Sequence, residues 1–134
     1  MGDHRPVRLL KNERLLATPA SYINGLQIEI EVEIAASAER IWAVMSEVEK
    51  WPEWTASISK VERLETGPFG PGSQARIRQP RFPTRVWRVT QYEPSRGFIW
   101  ETRSWGAHTV AEHWITSNGN RHCSVVLKVR QTGR

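Results

Sequence analysis

Few residues of this chain have the type and setting to do chemistry. His113 is the best placed of its 4 histidines. It alternates with Thr109, Ala111 and Ile115 in an extended run, so it shares a face with them. An imidazole there titrates near neutral pH. It can donate to or accept from a ligand oxygen, or act as acid or base. The sequence shows no carboxylate partner for it, and a hydrogen-bonded structural histidine is the competing reading. His4, His108 and His122 have no His-x-x-x-His pair or carboxylate cluster around them, so no metal site is expected. Cys123 is the only cysteine. That excludes an internal disulfide and reads as a small core hydrophobe. Gly-x-Ser-x-Gly is absent, and the 67–72 turn carries prolines that remove the amide donors a phosphate loop needs. No residue pattern asks for a cofactor.

The aromatic residues say more. Phe98, Trp100 and Trp87 alternate onto one predicted face, where their rings would wall a site for a flat or hydrocarbon ligand. Plain core packing is the other reading. The presence of 7 tryptophans against 2 methionines favours rigid walls. Trp54, Phe69 and Phe82 fall in turns and would rim the opening or anchor loops. Arg85 shares parity with Trp87, near the start of its strand. It would reach an anionic ligand group or snorkel to solvent. Arg76, Arg78, Arg88 and Arg103 mostly face water.

The elements that must position these residues follow from periodicity. Leu26–Ile34 alternates Ile28, Ile30, Val32 and Ile34 against Glu29, Glu31 and Glu33, which predicts a strand with one dry and one wet face. Ser37 is a helix N-cap, Glu39 suits the first turn, and Ile41, Val44, Met45 and Val48 keep helical spacing to about Glu49. Pro52 stops that helix and can open a second short turn, with Trp51 and Trp54 on one side. Six further strands follow, at about 58–65, 73–79, 84–92, 98–104, 107–116 and 122–131, separated by Gly/Pro turns and the Asn118-Gly119 hairpin. The order predicts an α+β domain with a curved seven-stranded antiparallel sheet and two short helices after its first strand. Residues 1–25 read as a lead-in, with Val7, Leu9, Leu10, Leu15 and Leu16 on one face of a short helix that needs a groove to lie in. Residues 26–134 form the domain proper.

Length and composition agree with one globular domain. The chain has 134 residues, 39% apolar and 25% charged. No apolar run approaches the roughly 20 residues of a bilayer span, and no secretory signal is visible. A single cysteine fits a reducing cytoplasm. The formal charge of +5 is uneven: residues 26–59 carry 7 acidic and 2 basic groups, whereas residues 60–134 carry 13 basic and 5 acidic. A basic half invites a nucleic-acid partner. Arginines alternating along strands are more simply the wet face of a sheet, and this argues against one.

This arrangement resembles the START-like helix-grip (SRPBCC) superfamily, in its polyketide cyclase/dehydrase and lipid-transport branch. The resemblance covers 26–131. It is carried by Ala35-Ala36-Ser37-Ala38-Glu39-Arg40-Ile41-Trp42, Trp51-Pro52-Glu53-Trp54, Gly72-Ser73, Val86-Trp87-Arg88-Val89-Thr90, Phe98-Ile99-Trp100, His113 and Asn118-Gly119. It implies a cupped sheet holding an apolar small molecule such as a polyketide, lipid, sterol or aromatic compound. It transfers no catalytic residue. The family pattern continues into a gripping C-terminal helix where this sequence reads Gln131-Thr132-Gly133-Arg134, so an open groove is expected. That groove would be covered by the 7–16 stretch or by a second copy in a homodimer.

The leading expectation is thus binding or transport of a hydrophobic or aromatic molecule on the concave face. Trp87, Trp100, Phe98 and Arg85 would line it, Trp54 and Phe82 would rim it, and His113 would orient a polar ligand atom. Two alternatives stand beside it: a cyclase- or dehydratase-like enzyme using His113, and a protein or nucleic-acid interaction module using the groove or the basic half.

Overall fold

The alternation of Ile28, Ile30, Val32 and Ile34 forms strand β2, Leu26–Ile34, in the computed structural model, which describes residues 14–16, 26–119 and 121–133. A three-residue strand, β1 (Arg14–Leu16), precedes it. After β2 come helix α1 (Ala38–Ser46) and a 3₁₀ turn (Val48–Glu53). Six strands complete the chain: β3 (Lys60–Arg63), β4 (Gln74–Arg78), β5 (Arg85–Glu93), β6 (Gly97–Ser104), β7 (Ala107–Ser117) and β8 (Cys123–Gly133). The seven anticipated strands are all present. They lie in one antiparallel sheet ordered β1-β2-β8-β7-β6-β5-β4-β3. Consecutive strands from β3 to β8 pair with one another, and β8 closes back onto β2.

Two expectations need correction. The 7–16 stretch was expected as one helical face, but Arg14–Leu16 pairs antiparallel with β2, Arg14 opposite Glu31. The rest of residues 1–25 lies outside the described residues. The exposed edge of β2 offers unpaired backbone groups, and a three-residue strand satisfies some of them at lower ordering cost than an isolated helix. The first helix also ends earlier than Glu49. Ser46 Oγ donates to the Trp42 carbonyl (2.7 Å), Glu47 leaves helical geometry, and the second turn starts at Val48, ahead of Pro52.

The helix starts as expected. Ser37 Oγ accepts from the Arg40 amide at 3.2 Å, satisfying one of the helix's free N–H groups. Ile41 and Met45 turn inward to the sheet. The core is the inner face of the sheet together with this helix and turn: Val32, Ile34, Val61, Ala75, Ile77, Val89, Phe98, Trp100, Ala111, Ile115, Cys123 and Val125 pack with Ile41, Met45, Val48 and Trp51. Strand parity dictates this face, because partners in register share a side: Ile34 with Cys123, Val32 with Val125, Ile115 with Val125. The opposite face carries the charge, with Glu29 and Glu112 both opposite Lys128. No described helix is long and apolar enough to cross a membrane.

Candidate functional site

Strands β6 and β7 set the centre of the inner face. Their register places Phe98 opposite His113, Trp100 opposite Ala111 and Thr102 opposite Thr109. The Phe98 and His113 rings stack at 4.4 Å between centroids. His113 Nδ1 lies 3.2 Å from the Phe98 carbonyl oxygen. A carbonyl only accepts, so Nδ1 carries the proton and Nε2 is left as an acceptor. Burial pushes the His113 imidazolium from its ordinary 6.5 to about 4, against a smaller opposing effect of the Phe98 hydrogen bond. The ring is therefore neutral at physiological pH.

Two further rings cover this centre. Trp51, within the 3₁₀ turn, meets Trp100 and His113 at 5.3 Å each and Phe98 at 6.2 Å. It is fixed by its Nε1–H, which donates to the Met45 carbonyl at 3.0 Å and so satisfies a free acceptor at the end of α1. Phe69, from the β3–β4 connection, sets its edge against Phe98 at 5.2 Å and Trp100 at 6.3 Å. Phe98 and Trp100 end up sealed, at 0% and 2% exposure.

Beyond this seal the face is only partly covered. Trp87, opposite Ala75, stands 5.8 Å from Trp100 and is half-buried. Ile30, Leu127 and Val129 are half-buried too. They continue the same rows, since Leu127 is opposite both His113 and Ile30, and Val129 is opposite Ala111. The result is an apolar strip beside an aromatic wall.

The residues picked out in the sequence thus separate. Trp87, Trp100, Phe98 and His113 come together. Among the described residues Trp54 joins through Trp51, 5.9 Å away, and is 46% exposed. Phe82 sits in the β4–β5 connection, 62% exposed, with no ring contact among the described residues. Arg85 faces inward opposite Ile77, at the end of the strip away from α1. Two inner rings escaped the parity argument. Tyr92 pairs with Phe98 because a bulge between Val89 and Gln91 shifts β5 by one residue. It touches Trp42 and Phe69 at 5.4 and 6.1 Å. Trp51 lies in no strand, and only the spacing Trp51-Pro52-Glu53-Trp54 hinted at its place.

A surface depression of about 770 Å³ lies elsewhere, around Ser104, Trp105, Gly106 and Ala107 at the β6–β7 turn. A second, about 420 Å³, lies between Val48, Arg63, Phe69 and Tyr92. Neither is lined by His113 or Trp87. The first is a shallow hollow beside a fully exposed Trp105. We place the candidate site on the inner face, where apolar area and convergent polar groups coincide. His108 and His122 lie off that face, within 2.5 and 3.5 Å of Glu101 and Glu33. Among the described residues no three of His, Cys, Asp and Glu gather as metal ligands would.

Comparison with known proteins bears on this arrangement. A family model described as polyketide cyclase / dehydrase and lipid transport matches residues 26–133. Among solved structures, the Zhui aromatase/cyclase of Streptomyces sp. R1128 is 22% identical, with a TM-score of 0.66 over 81% of this chain and 68% of its own. A START superfamily protein from Mycobacterium smegmatis is 20% identical, with a TM-score of 0.64 over 81% of this chain and 77% of its own. The norcoclaurine synthase of Thalictrum flavum, solved with dopamine and hydroxybenzaldehyde, is 19% identical, with a TM-score of 0.64 over 90% of this chain and 79% of its own. At these identities the likeness establishes the fold. No curated protein matches the chain in sequence.

Proposed function

The chain belongs to the polyketide cyclase / dehydrase and lipid transport family, within the START-like helix-grip superfamily, and on that premise we propose that it binds an apolar, ring-bearing small molecule along the inner face of its sheet. The observation that carries this reading is the half-covered strip of Trp87, Ile30, Leu127 and Val129 next to the buried wall of Phe98, Trp100 and His113. A core that only held the fold together would leave less of that strip open to a ligand. Binding draws on apolar area removed from water, roughly 25 cal/mol per Å² before ordering costs. The neutral His113 offers Nε2 as an acceptor for a ligand hydroxyl.

Trp87 is the ring whose loss discriminates. Trp87→Ala is expected to weaken binding of a naphthalene-type probe about tenfold or more, read by tryptophan quenching or calorimetry, while the fold survives because Trp87 is only half-buried. Unchanged affinity would remove the strip from the site.

An enzymatic reading competes through the same histidine. With its imidazolium held at about 4, His113 would serve at neutral pH as a weak base and not as an acid. His113→Ala separates the two readings. A binder loses affinity modestly, whereas an enzyme loses turnover and keeps affinity.

A further inference from the structure

Two buried polar side-chain atoms among the described residues have no hydrogen-bond partner: Arg85 Nε and Thr109 Oγ1. Both belong to the inner face. Arg85 stands opposite buried Ile77 in the β4–β5 register, and Thr109 stands opposite buried Thr102 in the β6–β7 register. Only β6 separates their strands, and the register sets Thr109 level with Trp87, two residues along from Arg85, so their Cα atoms are roughly 12 Å apart at normal spacing and the long side chain of Arg85 spans much of that gap.

The lack of partners has a local cause. Facing threonines in an antiparallel pair commonly bond one another. Here Thr102 Oγ1 instead donates to the Val86 carbonyl at 2.7 Å, which leaves Thr109 alone at 6% exposure. Carboxylates that might answer Arg85 lie on the other face or are engaged. Glu101 is bonded to His108, and Glu112 accepts from Trp114 Nε1 at 2.7 Å. The other inward arginine, Arg63, already pairs with Glu65 at 3.0 Å. Native proteins rarely leave buried donors unanswered. Two of them at one end of an apolar strip suit a ligand that brings its own oxygens.

We infer that Arg85 and Thr109 form a carboxylate-binding subsite at the end of the strip away from α1, so that the ligand is an apolar acid lying with its ring or chain along Trp87, Leu127 and Val129. This rests on the inner-face binding reading above. The guanidinium supplies charge and an N–H, and the threonine hydroxyl supplies the second donor. The arrangement selects acids over the corresponding hydrocarbons.

The test compares naphthalene-2-carboxylate with 2-ethylnaphthalene, the same ring system with and without the oxygens, on the full chain by calorimetry or tryptophan quenching. The wild type is expected to prefer the acid by about tenfold or more, as a charge-assisted hydrogen bond allows. Arg85→Met and Thr109→Val should each erode that preference and leave 2-ethylnaphthalene unaffected. Arg88→Met, which removes an exposed arginine, controls for general charge and should keep the preference. Equal affinity for both probes in the wild type, or an undiminished preference in Arg85→Met, overturns the subsite and leaves the strip standing. Failure of both probes to bind overturns the strip as well. Thermal melting gives an independent reading without ligand. Thr109→Val should melt at the wild-type temperature or above it, because an unpaired hydroxyl is being removed. A lowered melting temperature would mean that the hydroxyl is bonded within the fold, and would sink the proposal.

Discussion

His113 shows how one residue's surroundings decide what chemistry it can offer. Its face, its stacking on Phe98 and its bond to the Phe98 carbonyl all follow from one register, yet the outcome is a ring held neutral. Its folded-state value near 4 lies below its unfolded 6.5, so between these limits the unfolded chain binds the proton more readily. The stability tied to the neutral ring is therefore complete above about pH 6.5 and is lost as the pH falls toward 4. Denaturant unfolding at pH 6.5 and pH 5 should show a loss on the order of 2 kcal/mol attributable to this residue. A His113→Leu variant, compared over the same window, should lack that share of the slope. An identical slope in both proteins would mean that the ring is charged or solvated in the folded state.

At the scale of elements, the pairing of β6 with β7 sets the geometry of the site, and Gly97 permits it. Its φ is +154°, and a Cβ there would run into the backbone carbonyl of His113 and the Trp114 ring. Gly97→Ala must push β7 away at the residue that carries the imidazole. It should cost about 2 kcal/mol or more and disturb the His113–Phe98 contact. Equilibrium unfolding checks the first effect, and the His113 imidazole NMR shifts check the second. The same scale explains what could be read in advance. The strands were legible because strict alternation leaves one assignment of faces: Ile28 to Ile34, Ala75 and Ile77, Phe98 and Trp100, Thr109 to Ile115. Ser37 was legible because a free helix amide needs an acceptor. Tyr92 was not, since a bulge reverses parity without leaving a mark in residue type. The cover over the wall was not legible either. Trp51 reaches it through a 3₁₀ turn whose position depends on where Ser46 and Glu47 end α1, a matter of packing more than of propensity. Nor could parity distinguish a sealed ring such as Trp100 from a half-open one such as Trp87, because exposure depends on what lies above the face.

At the scale of the whole molecule, the sheet is closed by its last strand. β8 lies between β2 and β7 and pairs with both along its length, from Cys123 to Gln131 on the β2 side and from Cys123 to Gly133 on the β7 side. Removing it would leave β2 without its main partner and the inner face without Cys123, Val125, Leu127 and Val129. A chain cut after residue 121 should therefore lose near-UV circular dichroism and become protease-sensitive throughout, β3 to β6 included. Retention of a protected β3–β6 unit would show that the hairpin succession folds without closure.

This closure has a consequence for synthesis. On a ribosome, Leu26–Ile34 emerges well before its partner Cys123–Gly133, so the β8-facing edge of Leu26–Ile34 waits unpaired while β3 to β7 are made. The nascent chain cannot cover that edge until β8 has left the tunnel. A stall before β8 would expose it longest, and a chaperone that shields hydrophobic strands would act in that interval.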